Sequence, residues 1–227
     1  MDRRNFLSKG IVAGGVMAIG SMAQAATETE GNIRILGISC SPRKGMTTAT
    51  SVQVALDAAK GLGNRIQTQL IDLGGLTFSG WNSSGKFETD DFERLVLPKL
   101  RDPVPNGIII GSPVYFRNIS SLCMAFLERL AVLRKPKLLL ADIPVGALSV
   151  GAYRNGGQEM AIQQIQAAML CHEAMIVGGK PGAHQGATLL NSYQDDIMKD
   201  EFGVKTAKQL GVRVAEAALR LESKKNN

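Results

Sequence analysis

The stretch Ile33-Arg34-Ile35-Leu36-Gly37-Ile38-Ser39-Cys40-Ser41-Pro42-Arg43-Lys44-Gly45-Met46-Thr47-Thr48-Ala49-Thr50 decides the fold. A short apolar run ends in small residues, hydroxyls and an arginine. A helical pattern then opens at Thr47 and Thr48 and runs to about residue 63. This is a strand, a turn and a helix N-terminus. Such a terminus presents unpaired N–H groups and the positive end of the helix dipole. Hydroxyls and a guanidinium around it make a site for an anion, most simply a phosphate. No Gly-Lys-Ser/Thr closes the loop, and it lacks Gly-x-Gly-x-x-Gly, so neither a Walker loop nor a dinucleotide fingerprint is present. An ordinary Ser/Thr-capped turn has the same composition and stays open as a reading.

Working outward, strands and helices alternate. Strands are expected at residues 33–38, 65–73, 107–111, 144–150 and 174–177. Helices are expected at 48–63, from Asp90 or Asp91 to about 101, and at 120–133, 157–172 and 204–222. The last carries Val204, Ala207, Leu210, Val214, Ala218 and Leu221 on one stripe. Continuous apolar strands are buried on both faces, which means a parallel sheet with helices on each side. Five β/α units fit a flavodoxin-like α/β sandwich with strand order 2-1-3-4-5. Such sheets bind ligands beyond the carboxyl ends of the strands. That edge should carry three loops of unusual composition, at residues 39–48, 112–121 and 151–159.

The second of these loops contains Pro113, Val114, Tyr115 and Phe116. They could form a flat apolar slot for an aromatic ring, or Tyr115 and Phe116 could fill the core. In the third, Gly156 and Gly157 would allow close backbone approach to a ligand, or cap the following helix. Tyr153 could stack near the ring, and Arg154 could answer negative charge on it. A phosphate loop and a ring slot on one edge suit flavin mononucleotide.

Residues 1–25 stand outside this pattern. Asp2-Arg3-Arg4-Asn5-Phe6-Leu7-Ser8-Lys9 carries a twin-arginine pattern. An apolar, glycine-containing stretch follows, then Ala23-Gln24-Ala25 as a small-residue cleavage site. The expectation is export to the periplasm through the twin-arginine machinery, or membrane anchoring if the segment is retained. Cleavage would leave about 200 residues of the 227, enough for one domain. A leader at 26–32, a domain at 33–223 and a tail at 224–227 are expected. Net charge is +6 over the whole chain. The basic residues are scattered and aromatics are few, so nucleic acid is not an expected partner. Three cysteines, Cys40, Cys123 and Cys171, have no C-x-x-C spacing and are expected to be reduced and structural. His172 and His184 are too far apart to suggest a metal site. A helix-end His172 is expected to favour the dipole, and Asp195-Asp196 to mark a helix entry.

Ser41-Pro42-Arg43-Lys44-Gly45-Met46-Thr47, Gly111-Ser112-Pro113-Val114-Tyr115-Phe116 and Gly156-Gly157-Gln158-Glu159 together resemble the NADPH-dependent FMN reductase superfamily. The nearest likeness is its iron–sulfur flavoprotein branch. The resemblance implies bound FMN, oxidoreductase chemistry with a small-molecule or redox-protein donor and acceptor, and a homodimer or homotetramer with flavin near the subunit interface. Carried over by position, Ser39, Ser41, Arg43, Thr47 and Thr48 hold the phosphate, while Pro113, Val114, Tyr115 and Phe116 line the ring. Met46 stands where that family usually has Asn, and Arg117 where it often has Gly. The iron–sulfur branch has a compact set of cysteines before an Asp-Asp pair; here residues 79–89 hold none, although Asp90-Asp91 remains. A four-iron cluster needs four thiolates, so no cluster is expected. Trp81 in that loop is either an anchor or a lid beside the flavin. An electron carrier without its own substrate, and a flavin-free interaction module, remain as alternatives.

Overall fold

The computed structural model describes residues 31–85, 89–192 and 194–225. The export signal expected over residues 1–25 lies outside them. The sheet is parallel, in the order β2-β1-β3-β4-β5: β1 is Ile33–Ser39, β2 Ile66–Asp72, β3 Gly107–Pro113, β4 Pro144–Gly151 and β5 Met175–Ile176. Every residue of β3 and β4 is buried, as their continuous apolar runs require, whereas β2 at the edge alternates in burial. Helices cover both faces. On one side Phe92, Leu100, Phe126, Ile162 and Ile165 form a core beneath α2 (Leu97–Arg101), α3 (Ser121–Arg129) and α4 (Gln158–Leu170). On the other, Val52, Leu56, Leu210 and Val214 join α1 (Thr47–Lys60) to α5 (Glu201–Lys225). The two helices approach closely at Gly211, where a Cβ would stand 1.9 Å from the Ala55 carbonyl oxygen.

Three local features differ from the sequence reading. Between the strand expected at 174–177 and the helix expected at 204–222 lies a further strand, β6 (Ala187–Leu190), paired in parallel with the carboxyl half of β4. Four residues carry too little pattern to announce a strand; pairing with Leu148–Gly151 of β4 makes it one. The helix expected from Asp90 or Asp91 opens as a π-turn at Phe92–Val96 before α2. Pro98 explains this, because it has no N–H to give to the carbonyl four residues back. Asp90 is the side chain that caps, accepting from the Glu93 N–H at 3.2 Å. The helix expected to reach 133 ends at Arg129 and tightens into a 3₁₀ turn over Leu130–Arg134.

Two expectations about single residues are corrected. Cys40 and Cys123 are buried, but Cys171 is exposed just past α4. His172 is buried, and burial followed by the nearby Arg134 charge holds its pKa below the usual imidazole value. Both effects disfavour the charge that would answer the helix dipole.

Candidate functional site

The β1–α1 loop supplies the first wall. Ser39 and Ser41 are buried at the end of β1, and the Ser39 Oγ has no partner among the described residues. Ser41 Oγ accepts from the Arg43 N–H at 3.2 Å. Thr47 and Thr48 are buried in the first turn of α1, and their hydroxyls take no partner among the described residues. Met46 occupies the N-cap position without a side-chain cap bond. An Asn there could cap the helix itself; Met leaves the first N–H groups open. The loop is held by Asp72 at the end of β2, whose two oxygens accept from the N–H groups of Gly45 and Gly74 at 2.7 and 3.2 Å. Unpaired hydroxyls and open N–H groups suit a phosphate, so the residues present fit FMN at this end. Arg43 is half-exposed and forms a bidentate ion pair with Asp195.

The β3–α3 loop is a tight turn. Tyr115 and Asn118 exchange two backbone hydrogen bonds of 2.9 Å, and the central residues Phe116 and Arg117 have φ of 50° and 63°. That is the primed turn normally given to Asn or Gly. A larger side chain there costs about 1 kcal/mol each. Pro113 is buried and Val114 half-buried, but Tyr115 is exposed and Phe116 wholly so. The core-filling reading of the two aromatics is therefore wrong, because the turn carries them off the end of the sheet. Ser120 locks this loop to the first: its Oγ donates to the Cys40 carbonyl at 2.6 Å and accepts from the Cys123 N–H at 3.0 Å. Ser112 Oγ accepts from the Ser120 N–H at 3.0 Å.

In the β4–α4 loop Tyr153 is exposed. Both glycines are closely approached by the chain itself. A Cβ on Gly157, at φ 108°, would stand 2.9 Å from the Arg117 Cα, and one on Gly156 would stand 2.8 Å from the Tyr153 carbonyl oxygen. Gln158, buried, donates to the Tyr153 and Leu189 carbonyls and accepts from the Gly156 N–H. Arg154 is tied to the buried Asp200 and lies 5.5 Å over the Phe202 ring. Thus Ser39, Ser41, Thr47, Thr48, Pro113, Val114, Tyr115, Phe116, Tyr153, Gly156 and Gly157 come to the same sheet edge. Asp72, Ser112, Ser120, Gln158, Asp195 and Asp200, which hold the loops, went unread in this role. Their signal was only a polar residue at a strand or helix end.

The loop after β2 does not fit an iron–sulfur cluster. Glu128 accepts from the Trp81 N–H at 2.8 Å. The fully buried Arg129 donates to the Ser79 carbonyl and pairs with Asp90 and Glu93. Trp81 is anchored through its backbone while its side chain is exposed. Among the described residues no cluster of three or more His, Cys, Asp or Glu could hold a metal.

A family model described as NADPH-dependent FMN reductase matches residues 33–188. An iron–sulfur flavoprotein of Methanocaldococcus jannaschii is 37% identical over 191 residues, 81% of this chain and 96% of that protein. One from Methanosarcina thermophila is 32% identical over 184 residues, 78% and 93% of the two chains. The solved structure of a flavone reductase superposes with a TM-score of 0.62 at 21% identity, covering 84% of this chain and 64% of that one. This chain belongs to the NADPH-dependent FMN reductase family, with a flavodoxin-like fold and FMN as its cofactor.

Proposed function

We propose that the protein is an exported FMN-dependent oxidoreductase, similar in activity to an NAD(P)H:FMN or quinone reductase. The observation that carries this is the open N-terminus of α1, with the unpaired Thr47 and Thr48 hydroxyls, on the same edge as the Pro113–Phe116 loop. Bound flavin supplies the electron-transfer chemistry. The chain's part is to hold and orient it. Ser39, Ser41, Arg43, Thr47, Thr48 and the first N–H groups of α1 take the phosphate. Pro113, Val114, Tyr115 and Phe116 flank the ring, with Tyr153 across from them. No side chain need act as nucleophile. A cavity of about 380 Å³ adjoins the second and third loops, which favours an enzyme with a substrate over a pure electron carrier.

The twin-arginine pattern within residues 1–25 supports the export part of the proposal. Nicotinamide cofactors are scarce outside the cytoplasm, so the working donor is proposed to be a membrane quinol or a redox protein. FMN is loaded before export. Purified protein lacking residues 1–25 should be yellow and release FMN, not FAD, and should oxidise NAD(P)H slowly. Colourless protein that fails to bind added FMN would remove the proposal. Replacing Arg3-Arg4 with Lys-Lys should trap flavin-loaded precursor in the cytoplasm. Unchanged export of that variant, read by cell fractionation, would argue against the targeting. A mature domain found only in the cytoplasm of the unaltered strain would restore NAD(P)H as donor.

A further inference from the structure

The 380 Å³ cavity beside the flavin loops has a composition that points to its occupant. Two guanidiniums line it, and they are not equivalent. Arg154 is neutralised by the buried carboxylate of Asp200 and stacked over Phe202, so it is a fixed wall. Arg117 has no carboxylate partner among the described residues. Its one hydrogen-bond contact is the Met160 sulfur at 3.5 Å, a weak acceptor. The backbone under Arg117 is left-handed and rests on the bare face of Gly157, so the chain keeps a long cation at a position glycine would occupy without strain. A guanidinium free at a cavity wall is matched by a carboxylate or a similar planar anion, which can take both prongs of its fork. The apolar part of the wall is Phe202 and Met160, both about half-exposed and able to cover a flat or hydrocarbon body. The remaining charge on the lining is Glu159, an exposed carboxylate that would repel a second negative group.

We propose that this cavity binds a small organic monoanion, a carboxylate with an apolar or aromatic body, and that Arg117 selects it. The inference rests on the oxidoreductase reading for the occupant's role as substrate. Its binding is tested separately from that reading. Benzoate serves as the probe and benzamide, its neutral counterpart, as the control, each titrated calorimetrically into the purified protein. Benzoate should saturate one site per chain, and benzamide should bind at least tenfold more weakly. Arg117→Gln should weaken benzoate at least tenfold and leave benzamide unchanged. Glu159→Gln should tighten benzoate a few-fold. Arg117→Gly guards against misfolding, because glycine relieves the left-handed turn: its Tm should not fall, yet benzoate binding should be lost. The proposal is overturned if benzoate shows no saturable binding, if benzamide binds equally well, or if both Arg117 variants bind benzoate as the parent does. The flavin absorbance of the same samples separates the two readings. Yellow protein that ignores benzoate loses this site alone. Colourless protein with Arg117-dependent benzoate binding keeps the site and loses the flavin chemistry.

Discussion

The Arg43 guanidinium meets the Asp195 carboxylate through two hydrogen bonds, of 3.0 and 2.9 Å, and so ties the β1–α1 loop to a segment 152 residues further along the chain. The hydrogen bond from Arg43, joined by one from Asn191, holds the Asp195 carboxyl below the usual carboxylate range. Both side chains are substantially exposed, so the pair adds little to stability. With Arg43 proposed as a phosphate ligand, Asp195 would compete with an arriving phosphate for its guanidinium. Asp195→Asn should tighten FMN several-fold, and Arg43→Ala should weaken it about tenfold, close to 1.4 kcal/mol. Fluorescence titration of FMN into apoprotein measures both. Weaker binding by Asp195→Asn would show that the pair helps to build the site.

Thr47 tests the phosphate loop directly. Thr47→Glu puts a carboxylate against the phosphate in a desolvated turn, where like charges repel strongly. FMN affinity should fall at least a hundredfold, whereas Thr47→Ser should stay within a few-fold of the parent. Equal affinity for the Glu variant would place the phosphate elsewhere.

The fully buried Arg129 depends on Asp90 at 2.5 Å and Glu93 at 3.3 Å, and lies 4.7 Å over the Phe92 ring. Asp90→Asn leaves much of that charge unanswered and should cost ~3 kcal/mol, read by urea unfolding. Burial alone would raise the Asp90 pKa, but the hydrogen bond from Arg129 and those from the Glu93 and Phe92 N–H groups leave it lowered. A carboxyl lowered in the fold contributes fully above its unfolded pKa of about 4 and loses that contribution as pH falls through its lower folded value. Acid should therefore destabilise the parent more steeply below pH ~4 than Asp90→Asn. Parallel curves would dismiss the pair as a source of acid sensitivity.

His172 titrates at higher pH. Its folded pKa lies below the unfolded one, so the neutral buried form contributes fully above pH ~6.5, and the contribution fades as pH falls through the folded value. Thermal unfolding between pH 7.5 and 5 should show a Tm decline that His172→Gln reduces. An identical decline in the variant would assign it to other groups.

Protein prepared without oxygen should contain neither iron nor acid-labile sulfide at stoichiometric level, although the relatives at 37% and 32% identity are iron–sulfur flavoproteins. Segment 79–85 is held by Glu128 and Arg129, with no thiolate in it. One cluster per chain in a metal assay would overturn this and require ligands from elsewhere.

What the sequence determined by itself was the sheet and the edge that carries the site. Continuous apolar runs such as Gly107–Pro113 suit strands covered on both faces, and their alternation with amphipathic helices fits the order 2-1-3-4-5 with its ligand edge, as found. The hydroxyl-rich turn before Thr47 was equally legible, because helix N-terminal chemistry is local. Tertiary structure decided everything that depends on a distant partner. Strand β6 exists because β4 offers it hydrogen bonds, and Arg43 and Arg154 take their charge partners from residues 195 and 200. The close approach of the Arg117 backbone to Gly157 likewise appears only in the fold. Sequence spacing reports periodicity along one element; the pairing of side chains across elements appears only when the core has closed and fixed which loop ends meet.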